Sequence, residues 1–259
     1  MPYLDGVGPI ALAHRGGAQE VPENSRAAVE HVRALGLGYL ETDVHATADG
    51  VVVLSHDPTV DRVTDGSGAL AAMTWRQVAV LRDRSGDRLV RLDELLADYP
   101  ELRVNIDAKS DAVVDPLVAT VRDAGAVDRV CLTSFAEERL ARVRAALGPA
   151  VATGLGRADV LRLVAAARLP GPAQDRALRQ VPGPAAGTVC VQVPVRYRRF
   201  PVVTPAFIAA AHRHGLAVHV WTVDEPGEMC RLLDMGVDGL VSDRPTLLRD
   251  VLTARGPWH

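Results

Sequence analysis

Eight short β-rich runs alternate with amphipathic stretches along the whole 259-residue chain. The β-rich runs are residues 10–14, 39–44, 103–108, 130–134, 150–154, 189–193, 217–222 and 239–243. The stretches between them have the apolar spacing of helices, and several end in glycine, where a left-handed C-cap belongs. Strands that alternate with helices form a parallel sheet with crossover connections. This pattern therefore predicts an α/β fold.

The number of strand–helix units favours one of two arrangements. Eight units in about 250 residues is the tally of a (β/α)8 TIM barrel, and an open doubly wound sheet is the alternative. No GxGxxG turn follows the first predicted strand, which favours the barrel. The chain has 48% hydrophobic and 24% charged residues, a composition typical of a globular protein. We therefore predict a single barrel domain over residues 1–259.

A longer segment, approximately residues 47–90, separates the second predicted strand from the third. It begins with a hairpin signal, "ATADGVVVLSHD", in which Asp49-Gly50 can supply the turn. The segment is too long for a simple strand-to-helix loop, so we predict a small insertion within the barrel. Residues 170–187 are rich in proline and glycine and are predicted to form a surface loop or a short irregular helix.

Bulk properties argue against several classes of partner. The net charge of -3 gives no global basic field, which argues against nucleic acid or an anionic membrane surface. Three cysteines at wide spacings indicate neither a zinc site nor a disulfide framework. No leader peptide or long apolar run is visible, so we expect a cytoplasmic protein without stable membrane insertion. The oligomeric state cannot be read from these features.

Acidic residues lie on two neighbouring strands of the predicted barrel. Glu41 and Asp43 are two residues apart, as are Asp107 and Lys109, so each pair leaves one face of its strand. Three carboxylates at one barrel mouth would repel one another, and a cation would relieve that repulsion. Oxygen ligands suit Mg²⁺ or Ca²⁺, with Mn²⁺ as a third candidate. We therefore predict that Glu41, Asp43 and Asp107 bind one divalent cation.

Basic and aromatic residues accompany these carboxylates. Lys109 is the only lysine in the chain, among arginines at every other basic position, and its ammonium is a compact charge that a guanidinium cannot imitate. Arg15 follows the first predicted strand, and Trp221 lies near the end of the seventh. Because the C-terminal strand ends build the active sites of barrels, we predict that Arg15, Lys109 and Trp221 contact substrate.

Two of the eight histidines occupy positions suited to proton transfer. His14 ends the first predicted strand, and His56 ends the inserted hairpin in "SHDPTV". Imidazole titrates near neutrality, so such a pair can act as general base and general acid. The other histidines are predicted on helices, at outward-facing strand positions or in the tail. A cation, two basic side chains and two imidazoles describe a site for a phosphate ester.

Several segments resemble the glycerophosphodiester phosphodiesterase family, whose barrel is of the phosphatidylinositol-phosphodiesterase type. They are "HRGGAQEVPENS" (14–25), "LETDVHATADGVVVLSHDPTVDRVTDGSG" (40–68), "NIDAK" (105–109), "WTVD" (221–224) and "GVDGLVSDRP" (236–245). The resemblance runs in order across nearly the whole chain. It implies a (β/α)8 barrel with an insertion after strand two. It also implies metal-dependent hydrolysis of glycerophosphodiesters to glycerol 3-phosphate and an alcohol.

The resemblance also assigns roles to residues. It implies that His14 and His56 are an acid/base pair and that Glu41, Asp43 and Asp107 are metal ligands. It also implies that Arg15 and Lys109 contact the phosphate and that Glu23 lies near the site. The chain departs from the family pattern at Asp107, where glutamate is usual, and at Asp224, where asparagine is usual. The first change implies a different ion preference or coordination, and the second a different reading of the glycerol end.

Two alternatives to this function remain open. One is a lysophospholipase D or sphingomyelinase D type of activity on the same barrel. The other is a noncatalytic barrel that binds phosphorylated ligands, because a fold alone does not establish an activity.

Overall fold

The repeat of strands and helices folds as a closed barrel. The structure is a computed structural model and describes residues 2–259. The strands are β1 (Ile10–His14), β2 (Tyr39–Ala46), β3 (Val52–Leu54), β4 (Arg103–Ala108), β5 (Val130–Thr133), β6 (Ala152–Gly154), β7 (Thr188–Pro194), β8 (Arg196–Tyr197), β9 (Phe200–Pro201), β10 (Ala217–Trp221) and β11 (Gly239–Ser242). The helices are α1 (Arg26–Ala34), α2 (Trp75–Val78), α3 (Leu92–Asp98), α4 (Val114–Asp123), α5 (Glu137–Leu147), α6 (Arg157–Ala166), α7 (Gly171–Leu178), α8 (Pro205–Arg213), α9 (Pro226–Asp234) and α10 (Pro245–Arg255).

Eight of these strands form the barrel wall. The parallel strands β1, β2, β4, β5, β6, β7, β10 and β11 are hydrogen-bonded in that order, and β11 pairs with β1 to close the ring. Each predicted strand overlaps one of them, so the predicted (β/α)8 barrel is confirmed. Outward-facing residues such as Val104, Ile106 and Val218 are fully buried because the helices cover the outside of the wall. Within residues 170–187, the predicted loop or short helix contains α7.

The N-terminal end of the barrel is filled with aromatic and apolar side chains. The rings of Tyr3 and Tyr39 meet edge to face at 5.4 Å, and the Tyr39 hydroxyl donates to the Tyr3 carbonyl at 2.6 Å. Leu12, Cys131 and Cys190 are fully buried in the same cluster. This packing leaves the C-terminal end of the strands as the place for chemistry.

A polar layer lies in the middle of the barrel. Asn105 and Gln192 exchange two hydrogen bonds of 3.2 and 3.0 Å, and Gln192 also contacts His219 Nδ1 at 3.3 Å. His219 is fully buried inside the barrel, so its predicted place on an outward-facing strand position or a helix is wrong. The reason is that the inward face of a strand follows from its register, and His219 is the Cα partner of inward-facing Gln192.

The insertion after β2 begins as a hairpin and has a small core of its own. β2 and β3 pair antiparallel, and the turn contains Gly50 at φ 80, a left-handed conformation that favours glycine. The apolar core of the insertion consists of Val53, Val60, Leu70, Val78 and Leu89. The amide of Ser55 donates to the Asp43 carbonyl at 2.9 Å, which ties the end of the hairpin to the C-terminal end of β2. His56 therefore lies beside the barrel mouth.

Candidate active site

Strand register brings the predicted acidic residues and His14 together at the barrel mouth. His14 on β1 is the Cα partner of Glu41 on β2, and Asp43 is the Cα partner of Asp107 on β4. Side chains of partnered residues on parallel strands leave the same face, which here is the interior. Glu41, Asp43 and Asp107 are each at least nine-tenths buried.

Lys109 bridges two of the three carboxylates. Its Nζ lies 2.6 Å from Asp43 Oδ1 and 2.7 Å from Asp107 Oδ2. Burial alone would lower the pKa of Lys109, but the carboxylates of Asp107 and Asp43 outweigh it and raise that pKa. Lys109 is therefore held as a cation inside the cluster.

Arg15 contacts the other side of the carboxylate cluster. Its Nε lies 3.1 Å from Asp43 Oδ2, and its backbone amide donates to Glu41 Oε2 at 3.1 Å. Arg15 has a φ of 52, and Asn24 has a φ of 53. The left-handed turn at Arg15 is stabilised by Asn24, whose backbone amide donates to the Arg15 carbonyl at 2.9 Å. Arg15 and Asn24 thus both have strained backbone conformations, and the turn that they form directs the backbone amide and the guanidinium of Arg15 at the cluster.

Burial raises the pKa of two of the three carboxylates. Burial and the adjacent charge of Asp43 raise the pKa of Glu41 to about 7. Burial also raises the pKa of Asp107, although Lys109 opposes the shift. For Glu41, burial and the charge of Asp43 outweigh the opposing effects of His14, Arg15 and Lys109 on its pKa.

His14 is held in place by a carboxylate from the loop that follows the last barrel strand. Its Nδ1 lies 2.6 Å from Asp243 Oδ1, and its Nε2 lies 3.8 Å from Glu41 Oε2. Burial alone would lower the pKa of His14, but Glu41 and Asp243 outweigh it and raise that pKa above its ordinary value. A proton on Nδ1 would be shared with Asp243, which leaves Nε2 directed into the mouth.

Asp224 secures the loop that carries Asp243. Its Oδ1 accepts from the Asp243 amide at 2.8 Å and from the Ser242 hydroxyl at 2.9 Å, and its Oδ2 accepts from Gln19 Nε2 at 2.9 Å. Asparagine offers one carbonyl oxygen, whereas Asp224 uses both carboxylate oxygens as acceptors. The aspartate at position 224, where the family pattern has asparagine, therefore stabilises Asp243, the partner of His14.

His56 is held in the same way from the insertion. Its Nδ1 lies 2.7 Å from Asp57 Oδ1, while Asp57 Oδ2 accepts from Arg62 Nε at 2.5 Å. Arg62 also donates twice to Glu23 at 2.8 Å, and Glu23 in turn accepts from Arg15 Nη1 at 3.2 Å. The hydrogen bond from Arg62 lowers the pKa of Asp57 to about 2. One chain of ion pairs therefore joins the insertion to the barrel mouth.

Trp221 lies at the rim of the mouth, apart from the charged cluster. It is partly exposed at the end of β10, and its ring meets that of Phe135 edge to face at 6.1 Å. These two rings give one side of the mouth an apolar edge, which is suited to the carbon atoms of a bound substrate.

Comparison with known proteins agrees with this geometry. A family model described as "Glycerophosphoryl diester phosphodiesterase family" matches residues 14–247. The chain belongs to this family. A Mycobacterium tuberculosis protein named "Probable glycerophosphodiester phosphodiesterase 2" is 41% identical over 258 residues, which cover 99% of this chain and 95% of the relative. The sequence resemblance to the family is confirmed.

Solved structures of family members have the same fold. A glycerophosphodiester phosphodiesterase from Agrobacterium tumefaciens is 25% identical with a TM-score of 0.75, covering 95% of this chain and 99% of that one. An Oleispira antarctica phosphodiesterase, solved in complex with its product sn-glycerol-3-phosphate, has a TM-score of 0.75 at 19% identity. That alignment covers 95% of this chain and 97% of the other.

The donor atoms at the mouth fit a divalent cation. Glu41, Asp43 and Asp107 offer oxygen ligands, the chemistry that Mg²⁺, Ca²⁺ and Mn²⁺ accept. Asp43 Oδ2 is buried without a hydrogen-bond partner, since Arg15 Nε faces it without the alignment of a hydrogen bond. Within residues 2–259, no three His, Cys, Asp or Glu side chains stand at the spacing of a formed metal site. Lys109 instead lies between two of the carboxylates.

The sequence analysis missed three residues of the candidate site. Asp243 follows the last strand in "VSDRP", where the rule of C-terminal strand ends could have found it. Asp57 directly follows His56 and could have been suspected as its partner. Arg62 had no signal of its own, because its contact with Glu23 joins residues far apart in the sequence.

The contact between His14 and Asp243 leads to a pH-dependent prediction. In metal-free protein, the substitution Asp243→Asn should lower the pKa of His14, because it removes a carboxylate that stabilises the imidazolium. NMR titration of the His14 ring protons measures this shift. The matched control is Asp238→Asn, which breaks the 2.7 Å pair between Asp238 and His212. It should leave the pKa of His14 unchanged, and an unchanged value in Asp243→Asn would contradict the assignment.

Proposed function

We propose that this chain hydrolyses glycerophosphodiesters to glycerol 3-phosphate and an alcohol with the aid of one divalent cation. The observation that carries this proposal is the pair of imidazoles at the barrel mouth, each held through Nδ1 by its own carboxylate. Asp243 holds His14 from the barrel, and Asp57 holds His56 from the insertion. A noncatalytic binder has no need of two imidazoles oriented in this way. The named activity of the relatives supports the same reaction.

Glu41, Asp43 and Asp107 are the proposed ligands of the cation. When bound, the cation would neutralise nonbridging phosphate oxygens and polarise the phosphorus centre. Arg15 and Lys109 are proposed to contact the phosphate oxygens as well, since both basic groups already face the cluster. Trp221 is proposed to pack against the carbon atoms of the substrate at the rim.

The two histidines are proposed to move the protons. One imidazole accepts the proton of the attacking oxygen through Nε2, and the other gives a proton to the departing alcohol oxygen. The attacking oxygen is that of water, which gives glycerol 3-phosphate directly, or of the glycerol 2-hydroxyl, which gives a cyclic phosphate that water then opens to glycerol 3-phosphate. Asp243 and Asp57 are positioning residues, because each fixes the ring orientation and tautomer of its histidine. Glu23 keeps Arg15 and Arg62 aligned, which joins the two halves of the site.

The assignment of the histidines predicts the behaviour of two variants. His14→Ala and His56→Ala should each lower turnover by about 10²- to 10⁴-fold, the typical contribution of general acid or base catalysis. The assay measures glycerol 3-phosphate release from several glycerophosphodiesters with Mg²⁺, Ca²⁺ or Mn²⁺, and with a chelator, which should stop the reaction.

His212→Ala is the matched control, because this histidine pairs with an aspartate on the barrel's exterior. It should retain the activity of the unchanged protein. Activity that persists in both His14→Ala and His56→Ala would refute the acid/base assignment. Release of headgroups from lysophospholipids alone, with glycerophosphodiesters untouched, would replace the proposed substrate class.

The position of Lys109 makes a second prediction. Lys109→Arg should lower turnover by about 10²- to 10³-fold, because a planar guanidinium replaces a compact ammonium that lies 2.6 and 2.7 Å from two carboxylates. Thermal unfolding should show a folded protein. Arg213→Lys, an exchange of the same two residue types at an exposed ion pair on α8, should leave turnover unchanged. Near-normal turnover in Lys109→Arg would remove the special role of this lysine.

A further inference from the structure

Exposed aromatic and basic side chains cluster on the short hairpin after β7. Strands β8 and β9 pair Arg196 with Pro201 and Tyr197 with Phe200, and we call residues 196–201 the arginine hairpin. Tyr197 is 51% exposed and Phe200 is 57% exposed, although aromatic rings of this size are usually buried. Arg198 and Arg199 form the turn between them. The hairpin therefore presents two rings and three guanidinium groups to solvent.

The arginine hairpin lies at the same end of the barrel as the active site. Pro194 at the end of β7 is the Cα partner of Trp221, and the hairpin begins two residues later. Arg157 joins the hairpin to the mouth, because its Nη2 donates to the Tyr197 hydroxyl at 3.3 Å and its amide donates to the Phe135 carbonyl at 3.0 Å. Phe135 is itself 58% exposed and packs against Trp221. The exposed rings and arginines are thus continuous with the rim.

The arginines of this region form no close ion pairs within the part of the chain that the structure describes. Among the ion pairs of residues 2–259, none within 4.0 Å involves Arg157 or the three arginines of the hairpin. Glu228 interacts electrostatically with Arg196, but its ion pair is with Arg231. The guanidinium groups of Arg198 and Arg199 instead lie 5.8 and 5.3 Å from the ring centres of Tyr197 and Phe200.

We propose that the arginine hairpin docks the protein onto an anionic phospholipid surface, with the barrel mouth facing the lipid headgroups. Exposed tyrosine and phenylalanine rings settle at the headgroup level of a bilayer, while arginines beside them bind lipid phosphates. Each arginine near an anionic surface strengthens binding roughly fivefold. The net charge of -3 argued against an anionic membrane surface as a partner, but a net charge does not reveal a local basic patch such as the arginine hairpin.

This docking is peripheral. Within residues 2–259, no helix has the length and apolar character needed to cross a bilayer. A nucleic acid is the less favoured partner for this patch, because the chain is acidic as a whole and the basic residues occupy one short hairpin, not an extended groove. The exposed rings of Tyr197 and Phe200 also favour lipid, because a headgroup layer is partly apolar and can bury part of their surface.

Vesicle sedimentation with the full chain tests the proposal, and its readout is independent of turnover. Vesicles of phosphatidylglycerol and phosphatidylcholine in equal parts should sediment the protein at low salt, whereas pure phosphatidylcholine should bind it far more weakly. The double substitution of Arg198→Gln and Arg199→Gln should weaken binding roughly 30-fold. Replacing Tyr197 and Phe200 with serine should also weaken it.

The matched control replaces Arg213 and Arg255 with glutamine. These exposed arginines end α8 and α10, at the opposite end of the barrel, so vesicle binding should stay unchanged. Thermal unfolding and turnover of a soluble glycerophosphodiester should match the unchanged protein in all variants. The proposal fails if phosphatidylglycerol vesicles do not bind the protein, or if both hairpin variants bind as well as the control. It also fails if a DNA duplex displaces the protein from vesicles while the serine variant binds normally, since the patch would then be a nucleic-acid surface.

Discussion

The mutual repulsion of three buried carboxylates is the constraint on which the candidate active site depends. Glu41, Asp43 and Asp107 lie on adjacent strands and are each at least nine-tenths buried, so their charges are poorly screened by water. Lys109 and Arg15 neutralise part of this charge, while burial and the charge of Asp43 raise the pKa of Glu41 to about 7. The same repulsion is the physical reason for proposing a divalent cation at these oxygens, with the phosphate bound beside it.

The fold and most of the candidate site followed from local rules applied to the sequence. Strand periodicity placed Glu41 and Asp43 on one face, and the register of β2 with β4 aligns Asp43 with Asp107. Other features depend on tertiary structure. The link from Arg62 to Glu23 joins distant segments, and the inward orientation of His219 follows from its register with β7. No local pattern encodes such contacts.

The two halves of the candidate site differ in how deeply their histidines are buried. His14 is part of the barrel wall, and Asp243, itself bound by Asp224, fixes its ring. His56 belongs to the insertion and is more exposed, with its partner Asp57 bound to Arg62. Ion pairs through Glu23 connect side chains of the two halves. The arginine hairpin could not be predicted from the net charge, because its guanidinium groups lie on a protein that is acidic as a whole.

Direct measurement of cation binding tests the central claim that the carboxylate cluster is a divalent metal site. Titration of the metal-free protein with Mn²⁺, followed by the electron paramagnetic resonance signal of free Mn²⁺, should show one saturable site that Mg²⁺ or Ca²⁺ competes for. Asp43→Asn should abolish this site, and Asp238→Asn on the barrel's exterior should leave it intact. Saturable binding that is equal in Asp43→Asn and the unchanged protein, or no binding at all, would contradict the account.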